Sequence, residues 1–170
     1  MAKPNFKMMW AGFPTRLEYR NLEALFTHLG GTAAKNINLP GFGVDGNTCA
    51  ARLSVALQAG GVMITGGAGI RTVSTASGKR IIYGVADMRR FLEREFGKPE
   101  RDVTLPFDSD FKKRKGIISF SVTGWSNATG HIALFDKGTY RDRGDDHYHS
   151  MTAASSGGAR TVAGEFWEFT

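Results

Sequence analysis

Disulfide bridges, multi-thiolate metal clusters and membrane-spanning helices are all excluded by what this sequence of 170 residues lacks. It contains one cysteine, Cys49, so the fold cannot be braced covalently and must rely on a buried core. No run of ~18 apolar residues is present, as a membrane-spanning helix requires. The first twenty residues, MAKPNFKMMWAGFPTRLEYR, also lack the apolar stretch of a cleavable secretion signal. The expectation is a protein made in the cytoplasm that, if it acts outside the cell, leaves by a route that reads no such signal. Proline is sparse, with five residues, whereas 22 glycines point to many turns. Hydrophobic residues at 41% and charged residues at 22% are ordinary for a folded chain,. At this length one domain spanning residues 1–170 is expected.

Acidic residues are the minority charge. Sixteen Asp and Glu face 22 Lys and Arg, a formal charge of +6, which favours anionic partners such as nucleic acid, acidic polysaccharide or the bacterial cell wall. The basic residues are scattered except in FKKRKG (Phe111 to Gly116), read as a solvated loop ahead of a strand. No helix-turn-helix, zinc-finger or ribonucleoprotein pattern accompanies the charge, so nucleic-acid binding is not expected.

Periodicity divides the chain. Leu22, Leu25, Phe26 and Leu29 recur at helical spacing between Leu17 and Leu29, with Gly30 and Gly31 as a stop signal. After the loop LPGFGVDGN, Asn47 or Thr48 can cap a helix that carries Leu53, Ala56 and Leu57 on its apolar side and ends at Gly60 and Gly61. IRTVSTASGKRIIYGV reads as a hairpin or long loop turning at Ser77-Gly78, and Val85, Met88, Phe91, Leu92 and Phe96 mark a further helix closed by Gly97 and Pro99. Beyond Asp108 the short β-branched and aromatic runs GIISFSVTGW, GHIALFD and TVAGEFWEF alternate with turns, and TAASSGGAR reads as a mobile loop. Helices first and strands afterwards predict an α+β fold, with N-terminal helices packed on a mostly antiparallel C-terminal sheet.

A thiol reacts as thiolate, a form that a helix N-terminus favours through its unpaired N–H groups and macrodipole. Cys49 sits at such a position, and the same N–H groups can hold an oxyanion. The alternative is a buried thiol packed as a small hydrophobe. Among four histidines, His131 begins the strand GHIALFD directly after a turn, where an imidazole is held at a fixed angle; an ordinary polar strand start is the plain alternative. His28 belongs to the first helix face. Asp136 follows on the same strand, but alternation puts it on the opposite face from His131, Ala133 and Phe135. Asp142, returning after the turn at Lys137-Gly138, is the preferred acid to orient the imidazole, and Asp145 the next. Asn47 and Gly46 flank the thiol, while Gly130 and Trp125 flank the histidine; these four are the candidates for the substrate and oxyanion vicinity. DDHYH (Asp145 to His149) offers metal-ligating types, but no HExxH or positioned glutamate accompanies them, and no metal or other cofactor is expected. Ser54 lacks a G-x-S-x-G elbow, and GGAGIR lacks the Lys-Ser/Thr ending of a P-loop.

FKMMWAGFP, LFTHLGG, NTCAARLSVALQAGG and GWSNATGHIALFD, in that order and over about Phe6 to Asp142, resemble the type VI secretion amidase effectors of the fourth family. These are cell-wall hydrolases related to NlpC-type, papain-like peptidases. The resemblance implies a papain-like fold and a cysteine amidase that cleaves between γ-D-glutamate and meso-diaminopimelate in the stem peptides of Gram-negative peptidoglycan. Cys49 matches the family nucleophile, His131 its base, and Asp142, eleven residues on, its acid. The implied partners are a cognate immunity protein and the secretion apparatus, with action in the periplasm of target cells. Two departures stand out: FDKG has one residue more than the usual aromatic-polar-Gly pattern, which can shift the aspartate that faces His131, and a single-cysteine chain cannot form the disulfide that braces this region in some relatives. The competing readings are another papain-like acyl transferase or deamidase toxin, and a non-enzymatic binding module for cell wall or nucleic acid.

Overall fold

A computed structural model describes residues 2–39, 47–125 and 130–170. Helix α1 (Phe6–Gly12), which the apolar spacing did not announce, starts where the Asn5 side chain accepts the Met8 N–H. Asn21 does the same for Ala24 and starts α2 (Leu22–Leu29), so the helix is shorter than its sequence pattern. Leu17, 83% exposed, stays outside it. Gly30 ends α2 in a left-handed conformation (φ 67°) that a glycine adopts without strain, and α3 (Gly31–Lys35) follows at once,.

Helix α4 (Cys49–Ala59) runs between the Asn47-Thr48 start and Gly60, as its spacing predicts. Strands β1 (Thr72–Ser74) and β2 (Arg80–Ile82) form an antiparallel hairpin around Gly78. Helix α5 (Val85–Phe96) stops at Gly97 (φ 86°). A five-stranded sheet then forms from β3 (Glu100–Asp102), β4 (Lys115–Thr123), β5 (Gly130–Asp136), β6 (Thr139–Tyr140) and β7 (Arg160–Glu168) in the order β3-β7-β4-β5-β6. Every pairing in it is antiparallel, and the architecture is α+β.

The C-terminal strand β7 therefore lies between β3 and β4 rather than at an edge. Both sheet faces are covered. Ile117, Ile132, Leu134 and Trp167 pack with Met9, Leu53, Leu57, Met88 and Phe91 from the helices. Ile118, Phe120, Ala133, Phe135 and Phe166 form the other face, under Phe107 and Phe111. Covering on both sides is why β4 and β5 read as nearly unbroken apolar runs instead of alternating ones. Of TAASSGGAR (Thr152 to Arg160), expected to be a mobile loop, Arg160 already belongs to β7, and the rest is a hydrogen-bonded turn in which Ser155 and Ser156 donate to the Thr152 carbonyl.

Candidate active site

Helix α4 positions the thiol. Thr48 is its N-cap residue, yet the Thr48 hydroxyl does not cap; it accepts a bond from Arg52 Nε at 2.7 Å. Asn47 supplies the local support instead, its Oδ1 accepting the Cys49 N–H at 3.1 Å. Cys49 thus stands at the first position of an 11-residue helix whose N-terminal field favours an anion there,. Ser54, farther along α4, ties the helix to β2: it donates to Ala50 O and accepts the Ile82 N–H. That explains the serine by structure alone.

Strand β5 positions the imidazole. His131 is 2% exposed and next to Gly130. A Cβ at Gly130 would come 2.4 Å from the Phe120 carbonyl of β4, so that glycine serves strand pairing directly. His131 Nε2–H donates to Asp145 Oδ1 at 2.7 Å. Cys49 lies near enough to act on the ring as well, and Nδ1 is the nitrogen that Asp145 leaves for it. Burial opposes the imidazolium, but the bonds from Asp145 and Cys49, and then the charges of Cys49 and Asp145, outweigh it, and the His131 pKa is pushed up to about 9,. Tyr148 stacks on the imidazole, with ring centroids 3.9 Å apart, and Trp125 meets Tyr148 edge-on at 5.9 Å.

The acid is where geometry departs from the preferred reading. Lys137 (φ 48°) and Gly138 (φ 89°) make a two-residue turn, which sets Phe135 opposite Tyr140,. Arg141 continues alongside β5 by donating its N–H to Leu134 O. Beyond Arg141 the chain leaves the sheet and turns, with the Asp145 N–H donating to Asp142 O at 3.4 Å. Past this turn Asp145 is the carboxylate that reaches the ring. Asp142 instead receives the Arg16 N–H (3.0 and 3.2 Å) and Arg16 Nη1 (2.8 Å). Asp136 is paired across the sheet with Lys115 and Thr139 at the far end of β5.

Of the vicinity residues, Asn47 contacts the cysteine backbone and Trp125 the Tyr148 ring, while Gly46 lies outside the described residues. In DDHYH, Asp145 is turned to His131, His147 packs on Tyr148 at 4.0 Å and His149 on Tyr140 at 6.1 Å. No group of three His, Cys, Asp or Glu side chains among the described residues is placed to hold a metal ion. His28 stacks on Tyr19, away from this constellation.

Three residues of the site carry no sequence signature. Arg16 Nη1 bridges Asp142 Oδ2 and Asp145 Oδ1, the latter at 3.2 Å. Tyr148 is visible only as an aromatic in a polar stretch. Arg52 is wholly buried and donates to Thr48 Oγ1, Pro14 O and Tyr19 O. Burial, followed by the Arg16 charge, lowers the Arg52 pKa to about 10, which still leaves it cationic at neutral pH.

A profile of the family described as type VI secretion system (T6SS) amidase effector protein 4, Tae4, matches residues 46–166. Tae4 from Salmonella typhimurium, solved in complex with the immunity protein Tai4 from Enterobacter cloacae, is 30% identical with a TM-score of 0.81; the alignment covers 99% of this chain and 100% of that one. Tae4 in the effector–immunity complex from Enterobacter cloacae is 27% identical at the same TM-score and the same coverage of 99% and 100%. The uncomplexed Enterobacter cloacae effector is 26% identical, with a TM-score of 0.77 and full coverage of both chains. No curated protein matches the chain.

Proposed function

We propose, because this chain belongs to the type VI secretion amidase effector protein 4 family, that its 170 residues form a single catalytic domain in which Cys49, His131 and Asp145 hydrolyse peptidoglycan stem peptides. The observation that carries this reading is the continuous relay from the thiol at a helix start, through a buried imidazole, to a buried carboxylate. The scissile bond is the amide between γ-D-glutamate and meso-diaminopimelate.

His131 takes the Cys49 proton, and the ion pair so formed suits the upward displacement of the histidine,. The thiolate adds to the γ-D-glutamyl carbonyl, and backbone N–H groups at the start of α4 receive the oxyanion. A substrate oxygen there competes with Asn47 Oδ1 for the Cys49 N–H. Protonated His131 then gives its proton to the departing diaminopimelate amine as the C–N bond breaks and a thioester remains. Water, deprotonated by the same imidazole, adds to the thioester; the carboxylate is released and the thiol regains its proton. Asp145 keeps the ring in the tautomer and orientation that this exchange needs, and the stacked Tyr148 shields one of its faces,.

The enzyme is carried by the type VI apparatus into target cells and acts in their periplasm. Among the described residues no helix is long and apolar enough to cross a membrane. Its relatives were solved with Tai4, and a Tai4-type immunity protein is the inhibitor proposed for the producing cell. Digestion of purified Gram-negative sacculi tests the reading. The chain should release fragments with a new diaminopimelate amine and a new γ-D-glutamyl carboxylate, and Cys49→Ala should lose this while keeping its circular dichroism and melting temperature. Unchanged release by Cys49→Ala, or conversion of side-chain amides with no chain cleavage, would overturn it.

A further inference from the structure

Asp142 and Asp145 are 3% and 1% exposed and lie three residues apart on one loop. Two buried carboxylates in one site repel each other unless a cation stands between them. Compensation comes from Arg16, on the segment between α1 and α2, whose side chain is one-third exposed. Its Nη1 reaches both carboxylates, and its backbone N–H also donates to both Asp142 oxygens. Burial works against this cation, but Asp145, Asp142 and Cys49 hold its pKa above the ordinary value.

We infer that Arg16 is a positioning residue of the amidase: it bridges and neutralises the Asp142–Asp145 pair and thereby holds Asp145 aimed at His131, while Asp142 anchors Arg16 and does not touch the imidazole. The inference rests on the Cys49–His131–Asp145 reading. Among the described residues Asp145 is faced by His131 from β5, Arg16 in contact, Arg52 from α4, Tyr140 from β6 and Tyr148 on its own loop, with Asp142 bonded to it through the backbone. Arg16 is the guanidinium that touches both carboxylates. Asp145 Oδ1 receives it together with His131, so the same oxygen registers the charge and orients the ring.

The test is the pH dependence of kcat and KM on a soluble stem peptide containing the γ-D-glutamyl–diaminopimelate bond. Arg16→Met should move the acid limb of the kcat profile up by about one pH unit, the size of shift that losing one close countercharge produces. At and below the midpoint of the wild-type acid limb kcat should fall about five- to tenfold, with KM changing less than about twofold. Arg16→Lys should restore most of the loss. Arg16→Met combined with Asp142→Asn removes one charge of each sign and should return the limb towards its wild-type position. If Arg16→Met does not fold, Asp142→Asn alone reads the same coupling and should move the limb downward. An equal loss at every pH, or a limb that Asp142→Asn does not move, overturns the role of Arg16. Wild-type protein and Cys49→Ala in the same assay separate the two levels: an inactive wild type sinks the amidase reading, whereas an active wild type with an unmoved Arg16→Met limb sinks only this inference.

Discussion

At the scale of single residues the decisive fact is that three ionisable groups are buried in a row: Cys49, His131 and Asp145 are each at most 3% exposed. Such a row is costly unless its members compensate one another, and here His131 bonds Asp145, Arg16 bonds Asp145, and Cys49 favours the charged imidazole,. The histidine makes the cost measurable. Its folded pKa of about 9 lies above the ordinary 6.5. The stabilisation it brings is therefore fully present below pH 6.5 and is lost as pH rises through about 9. Urea unfolding should show wild-type stability falling by roughly 1–3 kcal/mol across that window. His131→Gln should flatten the fall, and Cys49→Ala, which removes one of the supporting bonds, should shift it to lower pH. A His131→Gln profile parallel to wild type would contradict the assignment. Thiol and imidazole were legible in the sequence, from a cap signal and a strand start. Asp145 ranks behind Asp142 on sequence alone, because the turn after Arg141 that brings Asp145 to the ring leaves no local pattern.

At the scale of elements, α4 does two jobs from one face of its first turn,. Its first residue presents the thiol, and Arg52, one turn later, grips the segment that carries Arg16 by donating to the Pro14 and Tyr19 carbonyls at 2.8 and 2.5 Å. An arginine within an otherwise apolar helix face reads as a solvated residue, yet it is 0% exposed. Arg52→Met would leave Thr48 Oγ1 and two buried carbonyls without their donor, against the relief of burying one charge fewer. The expected net loss is about 2–4 kcal/mol, to be read as a lower urea midpoint with unchanged slope. An unchanged midpoint would mean that water replaces the guanidinium without cost. The helices α2, α4 and α5 and the β1–β2 hairpin followed from periodicity and stop signals. The short helix α1 did not, since its signal is one capping asparagine.

At the scale of the whole molecule, the +6 charge belongs to encounter rather than to chemistry. Association with anionic sacculi should weaken as salt rises from 50 to 500 mM, about 14 to 4 Å in Debye length. Hydrolysis of a small soluble stem peptide at saturation should change much less, because the reacting groups are buried. Equal salt sensitivity of sedimentation with sacculi and of kcat on the peptide would refute this division. The placement of β7 between β3 and β4 is likewise a property of the whole: Trp167 faces the helical core and Phe166 the opposite layer, so the last strand closes both.

The sequence by itself determined most of the elements, the fold class and the placing of Cys49 at a helix start and His131 at a strand start, because helix caps, apolar periods and turn residues act over a few neighbours. Only the tertiary structure decided the partner of His131 and the cation behind it. Arg16 lies 126 residues from Asp142 and 129 from Asp145, and no local pattern encodes a contact of that separation. It exists because α1, the grip of Arg52 and the returning strand β6 bring three distant segments against one imidazole.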